Sequence, residues 1–276
     1  MIIVFKVLPA PVGNAFLLLL SINNEYFQVG WETPRIMIKG VLMMERAKVI
    51  IHMYVSIDGT IDGPYDGLET TKVSGDFYDR QIFQMSDANA NGATTVAMYA
   101  ATGHPDLSQY DSSDLGYQDW VPDGLKSDTW DVSFDRHGRC GWTRNYFDYG
   151  GHKSHAIEVV TRQTPLAYLA FLQSMKIPYI VCGDQDIDLE QALVKLKRYF
   201  GIATLAVCGG GIINGAFLKA GLVDQISLVM APYVSGDPKK KRAFNTFGQF
   251  VDQQFSIQNV EKLSDGGVHL LFQRVD

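Results

Sequence analysis

Three consecutive glycines stand out as residues that could do chemistry. Val207 to Asp224 reads VCGGGIINGAFLKAGLVD, which places Gly209–Gly211 between a predicted strand and a predicted helix. Glycine inside a regular element costs roughly 0.5–1 kcal/mol relative to alanine, so such a run needs a local reason. One reason is a tight turn with close helix-to-strand packing. The other is an anionic ligand that approaches the free N–H groups at the helix N-terminus.

Two further side chains flank predicted strand ends. Asp58 follows the apolar run Lys48–Ser56. A carboxyl in a half-buried loop beside a ligand would have a raised pKa and could donate a proton, which makes Asp58 the candidate catalytic residue. Its alternative role is turn formation with Gly59. Cys208 directly precedes the glycines, and a thiol there is either reactive or inert packing.

A metal site is the competing chemistry. The order His137, Cys140, His152, His155 gives H-x2-C-x11-H-x2-H, and two such pairs across a hairpin can hold a tetrahedral zinc ion. The last pair is closer than the usual spacing, and loop histidines are commonly solvated. We therefore predict no metal site and keep zinc as the alternative.

Composition limits the class of protein. The 276 residues are 46% hydrophobic with a net charge of −6, which suits a globular protein and disfavours a nucleic-acid partner. The basic run at 239–242 is interpreted as a solvated loop. Three cysteines are too few for a disulfide framework, and the apolar stretch Ala15–Ile22 is too short to span a membrane. We expect a cytoplasmic protein that has no membrane or nucleic-acid partner.

The elements that must position these residues begin after Met44. The pattern predicts a strand at Lys48–Ser56, a helix at Ser74–Ala88 and a strand at Ala93–Ala101. Residues 103–155 are rich in Gly, Asp, Ser and aromatics and are interpreted as an insertion with hairpins, including one at Thr129–Phe134. Residues 1–43 lack a clear period, so we treat them as an N-terminal extension. Whether it belongs to the native protein is left open, with translation from Met43 or Met44 as the hypothesis.

The second half alternates regularly between strands and helices. Parallel β-α units and a terminal hairpin predict one α/β domain over residues 44–276, with a mixed, mostly parallel sheet. The predicted elements are strand Ala156–Arg162, helix Pro165–Lys176, strand Pro178–Cys182, helix Leu189–Phe200, strand Thr204–Cys208, helix Ile212–Ala220, strand Gln225–Val234 and the hairpin Phe255–Leu263 with Val268–Val275.

In such a sheet, ligands bind outside the carboxyl ends of the parallel strands. The glycine run lies at one of those ends. It is neither a six-residue dinucleotide fingerprint, because Gly209–Asn214 reads GGGIIN, nor a Walker loop, because no Lys-Ser or Lys-Thr follows.

Three segments carry a family resemblance. They are VSIDGTIDG at Val55–Gly63, NGATTVAMYAA at Asn91–Ala101 and VCGGGIINGAFLKAGLVDQISLVMAPYVSG at Val207–Gly236. With them the chain resembles, over essentially Met44–Asp276, the reductase domain of riboflavin biosynthesis, the RibD C-terminal domain family. The resemblance implies a three-layer dihydrofolate-reductase-like fold, a homodimer and NADPH as the hydride donor.

The resemblance also implies roles for particular residues. It assigns Cys208 to the substrate site and assigns Thr161 with Arg162 to the adenosine 2′-phosphate, which suits a guanidinium beside a hydroxyl. The remaining residues that it assigns to the cofactor are Val55, Thr95, Gly209, Gly210, Gly211, Ile212, Ile213 and Asn214.

Departures from the family pattern concern the substrate. Cys208 replaces the usual glutamate, Thr60 replaces a basic residue, and Tyr99 with His104-Pro105-Asp106 replaces an Asp-Asp-Pro segment. We therefore predict an NADPH-dependent reductase that resembles 5-amino-6-(5-phosphoribosylamino)uracil reductase and acts on a small heterocyclic or sugar-derived molecule. The alternatives are a dinucleotide-binding protein without turnover and an enzyme of the dihydrofolate reductase type.

Overall fold

The computed structural model describes residues 4–9, 16–22, 25–29, 35–38 and 41–275, with the backbone alone before Glu45. The chain divides into two units, Met1–Glu45 and Arg46–Asp276. The first unit contains strands that the sequence pattern did not predict, and the rest of the predicted extension 1–43 lies outside the described residues. Its strands are β1 (Val4–Pro9), β2 (Phe16–Ile22), β3 (Glu25–Val29), β4 (Arg35–Ile38) and β5 (Val41–Met44), with β1-β2-β3 and β4-β5 paired antiparallel.

The second unit is built on a ten-stranded sheet. Its order is β11-β10-β8-β7-β12-β6-β13-β15-β14, and β9 pairs with β10 beside this path. The strands from β11 to β13 in that order run parallel, and β15 and β14 follow as an antiparallel hairpin. This confirms the predicted mixed, mostly parallel sheet. The strands are β6 (Lys48–Val55), β7 (Ala88–Gly92), β8 (Trp130–Phe134), β9 (Tyr146–Tyr149), β10 (His152–Val160), β11 (Tyr179–Val181), β12 (Thr204–Val207), β13 (Gln225–Met230), β14 (Phe255–Lys262) and β15 (Val268–Arg274).

Helices cover both faces of this sheet, which gives three layers. The α4 and α5 side chains share one apolar cluster with Ile157 and Val159 of β10. Ala156 and Val160 of the same strand belong to a second cluster with α2 and α3, because successive strand side chains point to opposite faces. The helices are α1 (Lys72–Met85), α2 (Ala93–Tyr99), α3 (Leu166–Ser174), α4 (Leu189–Phe200) and α5 (Gly211–Lys219).

The sequence signals of α4 show why the second half could be predicted. Asp188 accepts a hydrogen bond from the N–H of Gln191 and so caps the helix N-terminus. Gly201 ends the helix in the left-handed conformation, with φ of 70°. None of the helices in the described part of the chain is long and apolar enough to cross a bilayer.

Two predicted elements are wrong. Ala93–Ala101 was predicted as a strand, but the structure forms helix α2 there, and the strand is the preceding segment Ala88–Gly92. Thr129–Phe134 was predicted as part of a hairpin in an insertion. Instead, Trp130–Phe134 is an interior strand, parallel to both β7 and β10.

Candidate active site

A cavity of about 440 Å³ opens at the carboxyl ends of the central strands, between α1 and α2. Among the predicted site residues, Thr95, Cys208 and Gly210 line it. Thr95 lies in the first turn of α2, and Gly210 directly precedes α5. Asp62 and Gly63 of the first motif also line it, so the structure brings three separate sequence motifs to one cavity.

The three glycines of the loop have different reasons to be glycine. Gly209 has φ of +117°, a conformation that L-residues rarely adopt, and its peptide bond to Gly210 is cis. A Cβ on Gly211 would lie 2.2 Å from the carbonyl oxygen of Arg242, so this glycine serves the packing of the chain on itself. A Cβ on Gly210 would meet nothing within 4 Å. The open space at Gly210 is where a ligand can approach the backbone at the N-terminus of α5.

The floor of the cavity is polar. Asn89 and Asp131 lie directly opposite each other on β7 and β8, and the Asn89 amide donates a hydrogen bond to Asp131 Oδ2. Asn91 lines the cavity on the same face of β7. Burial raises the pKa of Asp131 to about 8, although the neighbouring Asn91 and Asn89 side chains oppose this shift. Asp131 is therefore mostly an uncharged acid at neutral pH.

A second acid lies in the wall formed by α1 and β9. The Tyr149 hydroxyl donates a 2.5 Å hydrogen bond to Asp79 Oδ1. Burial raises the pKa of Asp79, which the bond from Tyr149 opposes. Tyr78 precedes Asp79 and stacks on the buried His52 at a centroid distance of 4.5 Å. The wall thus combines a partly buried carboxyl with two tyrosines.

Cys208 lies at the end of β12 and is half-buried. Burial, with the nearby Asp131 carboxyl, raises the pKa of its thiol to about 12. The residue is therefore a neutral thiol at physiological pH, which disfavours a nucleophilic role. Its place in the cavity wall is compatible with the predicted substrate contact.

The prediction that Asp58 has a raised pKa and donates a proton is wrong. Its Oδ1 accepts hydrogen bonds from the Ser56 hydroxyl at 2.6 Å and the Ser235 N–H at 2.9 Å, and its Oδ2 accepts from the Gly236 N–H at 3.0 Å. These bonds lower the pKa of Asp58 to about 2, the opposite of the expected direction. An ionised carboxylate cannot donate a proton at neutral pH, so Asp58 instead ties together two loops.

The other predicted cofactor residues divide into exposed and buried positions. Ile212 is 61% exposed at the start of α5, and Ile213 packs partly against the core. Asn214 is fully buried, and its Nδ2 donates a 2.7 Å hydrogen bond to the Ala243 carbonyl. Val55 belongs to the core, and its carbonyl accepts from the N–H of Ala231 at 2.8 Å. Both Val55 and Asn214 are thus engaged within the protein, and their cofactor contacts stay predictions.

Thr161 and Arg162 lie away from this cavity. Thr161 is fully buried, and its hydroxyl donates a 2.8 Å hydrogen bond to the Arg136 carbonyl, so it has no hydroxyl proton left for a phosphate. Arg162 lines a separate open groove of about 630 Å³, where it lies 3.2 Å from Asp184. β10 is three strands from β12, a lateral separation of roughly 14 Å. An extended ligand could bridge that distance along the strand ends.

The alternative zinc ligands do not assemble. His152 stacks on Phe83, and His155 Nδ1 lies 3.0 Å from the Ala156 carbonyl. Cys140 instead meets Asp135 and Glu158 in the interior, the one such group found among residues 45–275. Asp135 accepts hydrogen bonds from the backbone of this loop, and Glu158 accepts from the Trp142 indole, so both acids have structural partners.

Sequence reasoning missed Asn89, Asn91, Asp131 and Asp79. For the first three of these, the signal was the alternation in ANANG and WDVSF, where every second residue is polar. Such alternation ordinarily marks a strand with one solvated face. Here the polar face lies beneath helices and lines a cavity.

The comparisons agree with this architecture. Residues 134–268 match the RibD C-terminal domain family. An 80-residue stretch is 34% identical to the 2,5-diamino-6-ribosylamino-4(3H)-pyrimidinone 5′-phosphate reductase of Aquifex aeolicus (strain VF5), covering 29% of this chain and 35% of that relative. The match thus spans about a third of the relative's length.

Solved structures show the same fold. RibD of Acinetobacter baumannii aligns with a TM-score of 0.58 at 18% identity, over 84% of this chain and 59% of that one. A pyrimidine reductase-like protein from Corynebacterium diphtheriae aligns with a TM-score of 0.56 at 15% identity, over 84% of this chain and 93% of that one. The predicted fold is therefore confirmed as that of RibD-like reductases.

Proposed function

We propose, taking residues 134–268 as a RibD C-terminal domain, that this protein is an NADPH-dependent reductase of a small heterocyclic or sugar-derived substrate. The observation that carries the proposal is the open space at Gly210, at the N-terminus of α5 and beside the cavity. A dinucleotide phosphate suits that position, because the first N–H groups of a helix have no partner within the helix. Among residues 45–275, no side chain caps this helix N-terminus.

The neighbouring basic loop supports the phosphate assignment. Residues 239–242 were interpreted as a solvated loop, but the structure places Lys241 in the cavity wall and the Arg242 carbonyl against Gly211. Positive charge beside a helix N-terminus favours an anion. The loop would then hold phosphate at the mouth of the cavity while the reacting ring lies inside.

The nicotinamide supplies the hydride when the cofactor is bound. The protein's own residues bind and orient the reactants and exclude water. Asp79 and Asp131 are the acids of the cavity that could hold a proton near the substrate, since both have raised pKa values. Arg162 is the proposed contact for an adenosine 2′-phosphate, and it would exchange its ion pair with Asp184 for that phosphate.

Titration of the purified protein with NADPH and NADH, followed by fluorescence, tests the proposal. We expect NADPH to bind more tightly than NADH. Gly210→Asp should abolish binding of both, because a carboxylate would occupy the phosphate position. Arg162→Ala should weaken the preference for NADPH, whereas Arg198→Ala, an exposed cation on α4, is the matched control. Absence of binding at millimolar concentration would contradict the reductase proposal.

Turnover separates this function from two alternatives. NADPH oxidation with an aminouracil substrate would support the pyrimidine reductase, and binding without any turnover would support a dinucleotide-binding protein. The second candidate is an enzyme of the dihydrofolate reductase type, in which the half-buried Asp79 on α1 would hold a proton near the pterin ring. That candidate predicts NADPH oxidation with a dihydropterin and inhibition by methotrexate.

A homodimer and a cytoplasmic location belong to the same proposal. The homodimer follows from the family resemblance, and the cytoplasmic location follows from the cysteine content. Gel filtration with light scattering measures the mass in solution, and a monomer would contradict the dimer.

A further inference from the structure

Asp131 carries a buried oxygen that the protein leaves without a partner. The residue is fully buried and lines the cavity, and its Oδ1 makes no hydrogen bond with any described residue. A buried polar atom without a partner costs roughly 1–3 kcal/mol. An oxygen in this position at the wall of a cavity is therefore placed to bond something that enters the cavity.

Asn89 on the neighbouring strand β7 determines whether Oδ1 donates or accepts a hydrogen bond. The Asn89 Nδ2 group donates to Oδ2, so Oδ2 acts as the acceptor of the carboxyl. In the uncharged acid, the proton then resides on Oδ1. Asp131 thus presents an O–H donor that has no acceptor among residues 45–275.

The charges around the cavity limit what can reach this donor. Asp62, Asp66 and Asp79 line the cavity with Asp131. Among the described residues, Lys241 is the one lysine or arginine that lines it. An anionic group would be repelled at depth by this excess of acids. The end of the ligand that reaches Asp131 is therefore neutral, and a phosphate on the same molecule would lie toward Lys241.

We propose that Asp131 Oδ1 donates a hydrogen bond to a carbonyl oxygen or ring nitrogen of a neutral, planar heterocycle, and that Asn89 and Asn91 complete the polar floor beneath it. The inference rests on the proposed function in taking this cavity as the substrate site. It adds the residue that recognises the ring and the orientation in which the substrate enters. It also places part of the substrate site on β8, which is distant in sequence from the glycine loop between β12 and α5.

Titratable groups on the neighbouring elements must be distinguished from Asp131 by their pKa values. Burial raises the pKa of Tyr78 and Tyr149 above the usual range, and burial also raises that of Cys208 to about 12. On β10, next to β8, burial lowers the pKa of His155. Asp79 on α1 also has a raised pKa, so it is the group whose titration must be separated from that of Asp131.

Binding of two neutral probes, cytosine and 2-pyridone, tests the proposal by calorimetry from about pH 6 to about pH 10. Aniline, which has no carbonyl or ring nitrogen, serves as the control ligand. In the wild type we expect affinity for the two probes to fall about tenfold per pH unit above the Asp131 pKa of about 8. Asp131→Asn keeps a donor that does not ionise, so its affinity should be independent of pH.

The remaining variants separate hydrogen bonding from charge. Asp131→Val removes the donor, so it should bind both probes about tenfold more weakly than the wild type below about pH 8, with an affinity that is independent of pH. Asp123→Asn, an exposed carboxyl outside the cavity, should leave the pH profile of the wild type. If Asp131→Val does not fold, the pH profile of probe binding to Asp131→Asn tests the inference without it.

Three results would overturn the inference. They are probe binding that does not depend on pH in the wild type, an unchanged pH profile in Asp131→Asn, which would point to Asp79, and no binding of either probe up to its solubility limit. The experiments are run without dinucleotide. A protein that fails to bind NADPH but shows the expected probe profile would therefore contradict the reductase proposal and leave this inference standing.

Discussion

Asp58 and Asp131 show how surroundings give one side-chain type two roles. Asp58 accepts two backbone N–H bonds in a solvated loop, and its pKa is lowered to about 2. Asp131 is enclosed between strands and keeps one oxygen unbonded, and its pKa is raised to about 8. Hydrogen bonds to the charged form dominate at Asp58, and desolvation dominates at Asp131.

The first prediction concerns Asp58→Asn. A carboxylate with a lowered folded-state pKa stabilises the protein above the unfolded-state value of 3.8, and that contribution is lost as the pH falls toward about 2. We expect the melting temperature of the variant to lie below that of the wild type at pH 7. The difference between the two proteins should shrink as the pH falls below about 4.

Thermal unfolding followed by circular dichroism over this pH range measures the effect. Asp123→Asn is the control, because it removes one exposed carboxyl that lines no part of the cavity. If Asp58→Asn changes the pH profile of turnover while leaving the melting temperature unchanged, Asp58 acts in catalysis and the structural role is wrong.

At the scale of elements, the turn from β12 to α5 places packing and the proposed ligand contact on adjacent glycines. Gly211 lies against the Arg242 carbonyl, and Gly210 faces open space. The two functions that the sequence left as alternatives are therefore compatible, since the packing lies at Gly211 and the proposed ligand contact lies at Gly210. Substitutions by alanine separate them.

The second prediction compares Gly211→Ala with Gly210→Ala. The added Cβ at 211 must displace the backbone of the basic loop, so we expect a loss of about 1–3 kcal/mol in unfolding free energy. The same change at 210 meets no atom within 4 Å, and we expect a change within about 0.5 kcal/mol. Gly210→Ala should still weaken NADPH binding, because its Cβ lies where the ligand approaches.

Urea unfolding gives the stabilities, and fluorescence titration gives the affinities. Each variant serves as the control for the other, since both add one methyl group to the same turn. Equal loss of stability in the two variants would contradict the assignment of Gly210 to a ligand.

The predictable elements were those whose local signals agreed with their environment. Helix α4 has a capping aspartate and a terminal glycine, and its predicted range is the observed one. The strand ANANG was missed because Ala, Asn and Gly have low strand propensity, and α2 was predicted as a strand because Thr94, Thr95 and Val96 are β-branched. Tertiary packing overrode both preferences. Asn89 and Asn91 of the floor were missed for the same reason, since they lie on this strand.

At the scale of the whole molecule, buried titratable groups make stability depend on pH in opposite directions. Burial, together with the nearby His269, lowers the pKa of His52 to about 4, although its hydrogen bond to the Tyr78 carbonyl opposes the shift. Burial raises the pKa of Asp131 and of Glu158. Below about pH 6.5, the histidine makes the protein more stable as the pH rises and the two acids make it less stable. Above that pH, only the acids contribute to the change.

The third prediction concerns His52→Gln. A group whose folded-state pKa is depressed from 6.5 to about 4 contributes stability that is present above pH 6.5 and lost as the pH falls through this window. The variant should be less stable than the wild type at pH 7. The difference in unfolding free energy should narrow by up to about 1.4 kcal/mol per pH unit between those values. A constant difference, measured by urea unfolding, would show that His52 is protonated in the folded protein.

The fourth prediction uses Asp131→Asn in the same measurement above pH 6.5. The folded wild type keeps the Asp131 proton up to about pH 8, whereas the unfolded chain releases it near 3.8, so rising pH destabilises the wild type. Asparagine does not ionise, and the Glu158 contribution is common to both proteins. We therefore expect the unfolding free energy of the variant to rise relative to that of the wild type by up to about 1.4 kcal/mol per pH unit until about pH 8. Above that pH, the difference becomes constant. Parallel stability curves over this range would mean that Asp131 is ionised in the folded protein, and its Oδ1 would then be an acceptor rather than a donor.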